Sequence, residues 1–173
     1  SVDRIKKKIS FFDKQEKEIM TELKAVMSVD DDLKRLVALI CTIPGVGLLT
    51  AIIVLAETNG FELIRNKRQL VSYAGLDVKE KQSGTSVRGK PRISKKGNRF
   101  LRKAMHFPAL SAISHDEKYK AIFARLVSKH GIKMKAAVCV QRKMLEMIYT
   151  VFKKQEAYDR MYYMRKAEVQ AGA

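Results

Sequence analysis

The residues from Lys79 to Lys103, KEKQSGTSVRGKPRISKKGNRFLRK, hold ten basic side chains against one acid, Glu80, and so carry +9 of the chain's formal +17. No core can be made of such a stretch, because burying an unpaired ion costs about several kcal/mol. Gly84, Gly89, Gly97 and Pro91 let its backbone turn or approach a partner closely. Its arginines offer forked donors that match phosphate oxygens. The segment has to face water or a polyanion, and the rest of the chain has to be the scaffold that presents it.

The 173 residues suffice for one domain with an extension, and 46% hydrophobic content supplies a core. A balance of 35 Lys+Arg to 18 Asp+Glu, with a pI near 10.0, points to nucleic acid ahead of anionic membrane surfaces. The most apolar run, Leu48 to Ala56, is too short to span a bilayer. No helical stretch reads as a basic face carrying exposed aromatic bulk, which argues against a membrane-surface protein. Ser1 to Phe12 is charged throughout and does not resemble a signal peptide, so a cytoplasmic location is expected. Cys41 and Cys139 lie in apolar helical contexts and are expected to be buried free thiols. The three histidines are scattered, and no metal site is expected within this chain.

Periodicity predicts an all-α fold. Ile5, Ile9, Phe12, Glu16, Ile19, Leu23 and Val26 form a heptad-like seam over 1–28, a coiled-coil helix expected to pair with a second copy of the chain as a dimer or tetramer. A helical domain is expected over 29–155 and a tail over 156–173. Ser28 or Asp30 can cap the second helix, whose stripe is Leu33, Leu36, Val37, Ile40 and Ile43. Ile43-Pro44-Gly45-Val46-Gly47 followed by an apolar helix is a helix-hairpin-helix pattern. In such a motif Gly45 and Gly47 keep side chains away while the first amides of the second helix face a phosphate. Asn66 predicts a helix start and Gly75 its left-handed end. A helix over 98–114, kinked by Pro108, follows the basic stretch; Asp116 opens another, and Met134 to Phe152 forms the central one.

Among the hydroxyls, Ser83 heads the basic stretch beside several cations. Fixed cations stabilise charge developing on phosphorus. A serine also needs a base, and only Glu80 is near in sequence, so composition alone leaves Ser83 either a nucleophile or a phosphate ligand.

The ordered series IPGVG-x-x-T-A, Y-A-G-L-x-V and S-G-T-S-V-R-G-K-x-R-I-S-K-x-G-N-x-x-L-R-K-A resembles the C-terminal transposase domain of the bridge-RNA-guided, DEDD-type insertion-sequence transposases, from about Leu33 to Phe152. The preceding helix resembles their coiled-coil connector. The resemblance implies that Ser83 attacks a DNA phosphodiester to form a phosphoserine link. It further implies that Gly45, Gly47, Gly84, Arg88, Lys90, Arg92, Lys95, Lys96, Arg99 and Arg102 lie at DNA or guide RNA. Mg²⁺ would be held by acids of an RNase-H-like domain that this chain does not include, so the chain alone is expected to bind nucleic acid without completing strand exchange. Glu57, Glu62 and Asp77 are expected to be surface or capping residues. The rival reading is a non-catalytic helix-hairpin-helix module that binds nucleic acid through the same loop.

Overall fold

A computed structural model describes residues 1–79, 82–83, 87–88 and 92–162, with the backbone alone at 82–83 and 87–88. The chain divides into two units, Ser1–Leu36 and Val37 onward.

The first unit holds α1 (Val2–Val29), a helix of 28 residues in which none is buried. Ile5, Ile9, Phe12, Ile19 and Val26 of the seam are all exposed. Of the two candidate caps for the next helix, Asp30 is the one used: its carboxylate accepts from the Leu33 amide at 2.9 Å. That helix is α2 (Asp31–Cys41), whose Val37 and Ile40 belong to the core of the second unit.

In the second unit α3 (Leu48–Glu57), α4 (Lys67–Tyr73), α5 (Arg99–Ala104), α6 (His106–His115), α7 (Glu117–His130) and α8 (Lys133–Lys154) follow in order. The central element is α8, with α4, α6 and α7 packed on it, while α3 packs on α5. Its inward stripe is Ala136, Ala137, Val140, Met144, Leu145 and Ile148, the i, i+4, i+8 pattern of a helix buried along one side. Tyr149 adds a buried hydroxyl satisfied by the Ile64 carbonyl at 3.1 Å, and its ring meets Phe61 edge-on.

Local chemistry sets the ends of these helices. Asn66 accepts from the Gln69 amide at 2.9 Å, and Gly75 (φ 66°) ends α4 while the Leu76 amide reaches the Val71 carbonyl at 2.9 Å. Asp116 caps α7 through the Tyr119 amide, and Gly131 closes it in the left-handed region. The helix expected over 98–114 breaks at Met105. Pro108 has no N–H for the Ala104 carbonyl, the last residue of α5, which accounts for the break there.

Two expectations need correcting. The basic stretch is not a plain loop: β1 (Val78–Lys79) pairs antiparallel with β4 (Arg92–Ile93), and β2 (Gln82–Ser83) with β3 (Val87–Arg88). The fold remains mainly helical, and the segment to which these two strand pairs belong is the basic arm. The thiols are not both buried: Cys41 is half-buried and Cys139 exposed. Cys139 falls one turn from Lys135 and Lys143 on the outward side of α8, opposite the Val140–Met144 stripe. Burial still pushes the Cys41 thiol above its usual range.

Residues 42–47 join α2 to α3. Gly45 sits at φ 83°, and a Cβ there would lie 2.4 Å from the Pro108 carbonyl oxygen and 2.9 Å from the Ala112 nitrogen of α6. The missing side chain is what lets this turn dock on α6. Gly47, the residue before α3, has open space where a Cβ would stand. We therefore expect Gly45→Ala to cost about 2 kcal/mol or more through overpacking and left-handed strain, and Gly47→Ala to cost under about 1 kcal/mol, both read by urea unfolding.

Candidate nucleic-acid interface

The arm leaves the helical body after Leu76 and returns at Ser94, and both strands are fastened where they meet the body. On the outgoing side Asp77 accepts a hydrogen bond from the Ser94 hydroxyl, and its carbonyl accepts from the Ser94 amide at 2.8 Å. On the returning side the Lys95 amide donates to the Gly75 carbonyl at 3.1 Å and the Asn98 amide to the Tyr73 carbonyl at 2.7 Å. The crossing is so close that a Cβ on Gly97 (φ 142°) would lie 2.3 Å from the Tyr73 carbonyl oxygen. Only glycine accepts that torsion and that contact together.

Side chains complete the root. Asn98 bridges two elements: its Oδ1 accepts from the Leu101 amide at 2.9 Å, capping α5, and its Nδ2 donates to Glu57 Oε2 at 2.5 Å. The Tyr73 hydroxyl donates to the Glu57 carbonyl at 2.9 Å. Arg102 places Nη1 2.7 Å from the Ala74 carbonyl. Glu57 and Asp77 thus serve as acceptors at the root, and Glu62 accepts from Asn59. Among the described residues no three of His, Cys, Asp and Glu gather closely enough to hold a metal ion.

The arm residues are distributed as follows. Ser83 pairs with Val87 in the last described backbone pair before residues 84–86, and Arg88 pairs with Gln82. Arg92 pairs with Lys79 and is exposed; Lys95, Lys96 and Arg99 are exposed on the return. Arg102 is half-buried and committed in part to the root. Gly84 and Lys90 lie outside the described residues, as does Glu80, the candidate base. Gly45 and Gly47 sit in the α2–α3 connection, Gly45 against α6. Asp77, Ser94 and Asn98 were not singled out as functional from sequence. Asn98 carried a readable signal, an N-cap amide ahead of an apolar helix, whereas the Asp77–Ser94 bond joins residues 17 apart and had none.

Residues 37–124, the matched part of the chain, fit the model of the transposase IS116/IS110/IS902 family. The chain belongs to that family. It is 31% identical over 143 residues to the transposase for insertion sequence element IS1111A of Coxiella burnetii, an alignment covering 79% of this chain and 37% of that protein. It is 27% identical over 130 residues to the pilin gene-inverting protein of Moraxella bovis, covering 75% of this chain and 40% of that protein. An uncharacterized 43.6 kDa protein of insertion element IS110 from Streptomyces coelicolor is 26% identical over 118 residues, covering 68% of this chain and 29% of its own length. The chain therefore spans well under half the length of these relatives. No described helix is long and apolar enough to cross a membrane.

The root and the exposed cations separate by mutation. Arg102→Ala removes a charge-assisted bond to a carbonyl and is expected to lower stability by about 1–2 kcal/mol. Lys96→Ala, at an exposed position, should stay within about 0.5 kcal/mol of the parent. Thermal unfolding monitored by circular dichroism checks both.

Proposed function

We propose that this chain is the DNA-binding, nucleophile-bearing part of an insertion-sequence transposase, with Ser83 as the nucleophile. The observation that carries the reading is a cationic arm, fastened at its root to the helical body, in a chain of a transposase family. One relative is named a transposase and another a gene-inverting protein, and rearrangement of DNA is common to both names.

In the proposed step Ser83 Oγ attacks a DNA phosphorus. The Oγ–P bond forms as the bond from phosphorus to a deoxyribose oxygen breaks, and the Ser83 proton ends on that departing oxygen, directly or through water. A phosphodiester is exchanged for a phosphodiester, so no external energy source is needed to rejoin the strand. Arg88, Lys90, Arg92, Lys95, Lys96 and Arg99 offset the charge building on the non-bridging oxygens. Gly84 lets the backbone beside Ser83 approach the strand. Gly47 and the α3 amides, with Gly45 holding that turn on α6, would grip backbone phosphate without reading sequence.

Mg²⁺ and a guide RNA belong to the same proposal. Both are assigned to the longer protein, the metal to an acidic DEDD domain beyond this chain. Self-association through the exposed seam of α1 is a further part of it, because a helix of this length with an apolar stripe gains by pairing. Ile9→Lys together with Ile19→Lys should lower the mass seen in sedimentation velocity to that of a monomer. A parent that is itself a monomer at micromolar concentration would remove this part.

Ser83→Ala in the full-length protein should leave DNA affinity within about twofold and abolish a covalent protein–DNA adduct on a denaturing gel. The binding itself should weaken by about 10³ between 50 and 200 mM salt if six or more phosphates are neutralised. An adduct that survives Ser83→Ala would move the nucleophile elsewhere. Binding without any adduct in the parent protein would favour the non-catalytic module.

A further inference from the structure

The helices that follow the arm expose aromatic rings. Phe107 is 76% exposed, Phe100 55% and Leu110 41%, although the sequence pattern counts Phe100 among the apolar positions of its helix. At the break Met105 keeps helical backbone angles (φ −80°, ψ −7°); its amide donates to Leu101 O and its carbonyl accepts from the Ala109 amide, each at 3.3 Å, so α6 follows α5 nearly in phase. Phe100, Lys103, Phe107 and Leu110, spaced 3, 4 and 3, therefore form one stripe. The opposite side holds Leu101, Met105, Ala109 and Ala112, all fully buried. These fix the rotation of the helices, and the rings cannot turn inward.

The chain segment that carries the stripe is cationic. From Lys81 to His115 the chain has no acid and nine Lys and Arg residues. The Arg99 guanidinium lies 5.0 Å from the centre of the Phe100 ring, and Lys103 stands within the stripe, exposed. This is the basic face with aromatic bulk that the sequence did not reveal. Exposed rings with Arg99 and Lys103 beside them match an anion that also has flat apolar faces. Paired DNA offers phosphates but keeps its base faces stacked on one another. An unpaired nucleotide offers both.

We infer that the outward stripe of α5–α6 binds unpaired nucleotides, with bases stacked on Phe100 and Phe107 and phosphates on Arg99 and Lys103. The inference deepens the proposed function: the strand handled by the arm is unpaired beside it, and the two rings hold it open. Apolar side chains that enter or cap a base step in this way hold the step unstacked.

The test uses the 173-residue chain and fluorescence anisotropy with three probes: a 20-nucleotide single strand, the same sequence as a duplex, and that duplex with a short unpaired gap. The parent should prefer the single strand and the gapped duplex. Phe100→Ala/Phe107→Ala should weaken these two by about ten- to a hundredfold, with full-duplex affinity and the salt slope unchanged. Phe107→Trp should retain the preference, and 2-aminopurine placed in the gap should report unstacking only with a ring present. Because both rings are exposed, the circular dichroism melt serves as a check that the double variant folds. Equal binding of the single strand by parent and double variant would overturn the inference, as would an equal loss on paired DNA. So would loss in the double variant of binding to phosphatidylglycerol vesicles alone, which would make the stripe a membrane face. A parent that binds only duplex would sink the stacking inference and leave the proposed function standing; a parent that binds no nucleic acid would sink both.

Discussion

The basic arm hangs on the crossing of residues 73–77 with residues 94–98. A segment as basic as the arm contributes no core packing and repels itself, so its position must be imposed from its base. The imposition is made by backbone groups: Asn98 N to Tyr73 O, Lys95 N to Gly75 O and Ser94 N to Asp77 O. Gly97 permits the approach, and Asp77, Glu57 and Arg102 supply the side-chain ties. Glu57 and Asp77 are both engaged as acceptors at its root. The arm keeps a large excess of positive charge in sequence, which a bound polyanion would offset.

The legible parts of the structure were those governed by local rules. Asn66, Gly75, Asp116 and Gly131 act on residues within four or five positions, and the helix ends follow from them. The buried stripe of α8 could be read because its period is set by the helix alone. The ribbon could not. Its ladders are made by backbone groups, and a strand whose faces are not buried imposes no alternation on its side chains. Gly45 was read as a phosphate-facing residue because the hairpin pattern is local. Its contacts are with Pro108 and Ala112, more than sixty positions away, and no local rule reaches them. Cys139 fails because an apolar residue in a helix need not lie on the buried side.

Family membership and geometry bear on different halves of the candidate site. The resemblance selected Ser83 among several hydroxyls, which neither charge nor spacing could do. The geometry, in turn, separates cations by role. Arg102 is tied to a carbonyl and half-buried, whereas Lys95, Lys96 and Arg99 are exposed on the return from the arm. On the proposed reading, loss of one exposed cation lowers affinity evenly across sequences, because phosphate contacts carry no base information. Loss of a root contact moves the whole arm and the serine with it.

On the proposed reading, an arm that relies on charge alone has a weakness: charge holds a duplex as readily as a strand, and it gives no reason for a phosphodiester to become accessible. A nucleophile on the arm needs the target strand to leave its partner at least briefly. The stripe on α5–α6 supplies what charge does not, a surface that gains only from bases already unstacked. Both features begin from Asn98, which caps α5 with one atom and ties the arm's return to Glu57 with another. Asn98 thereby links the root of the cationic arm to the start of the aromatic stripe, so on the proposed reading the strand held open and the strand attacked can be the same one.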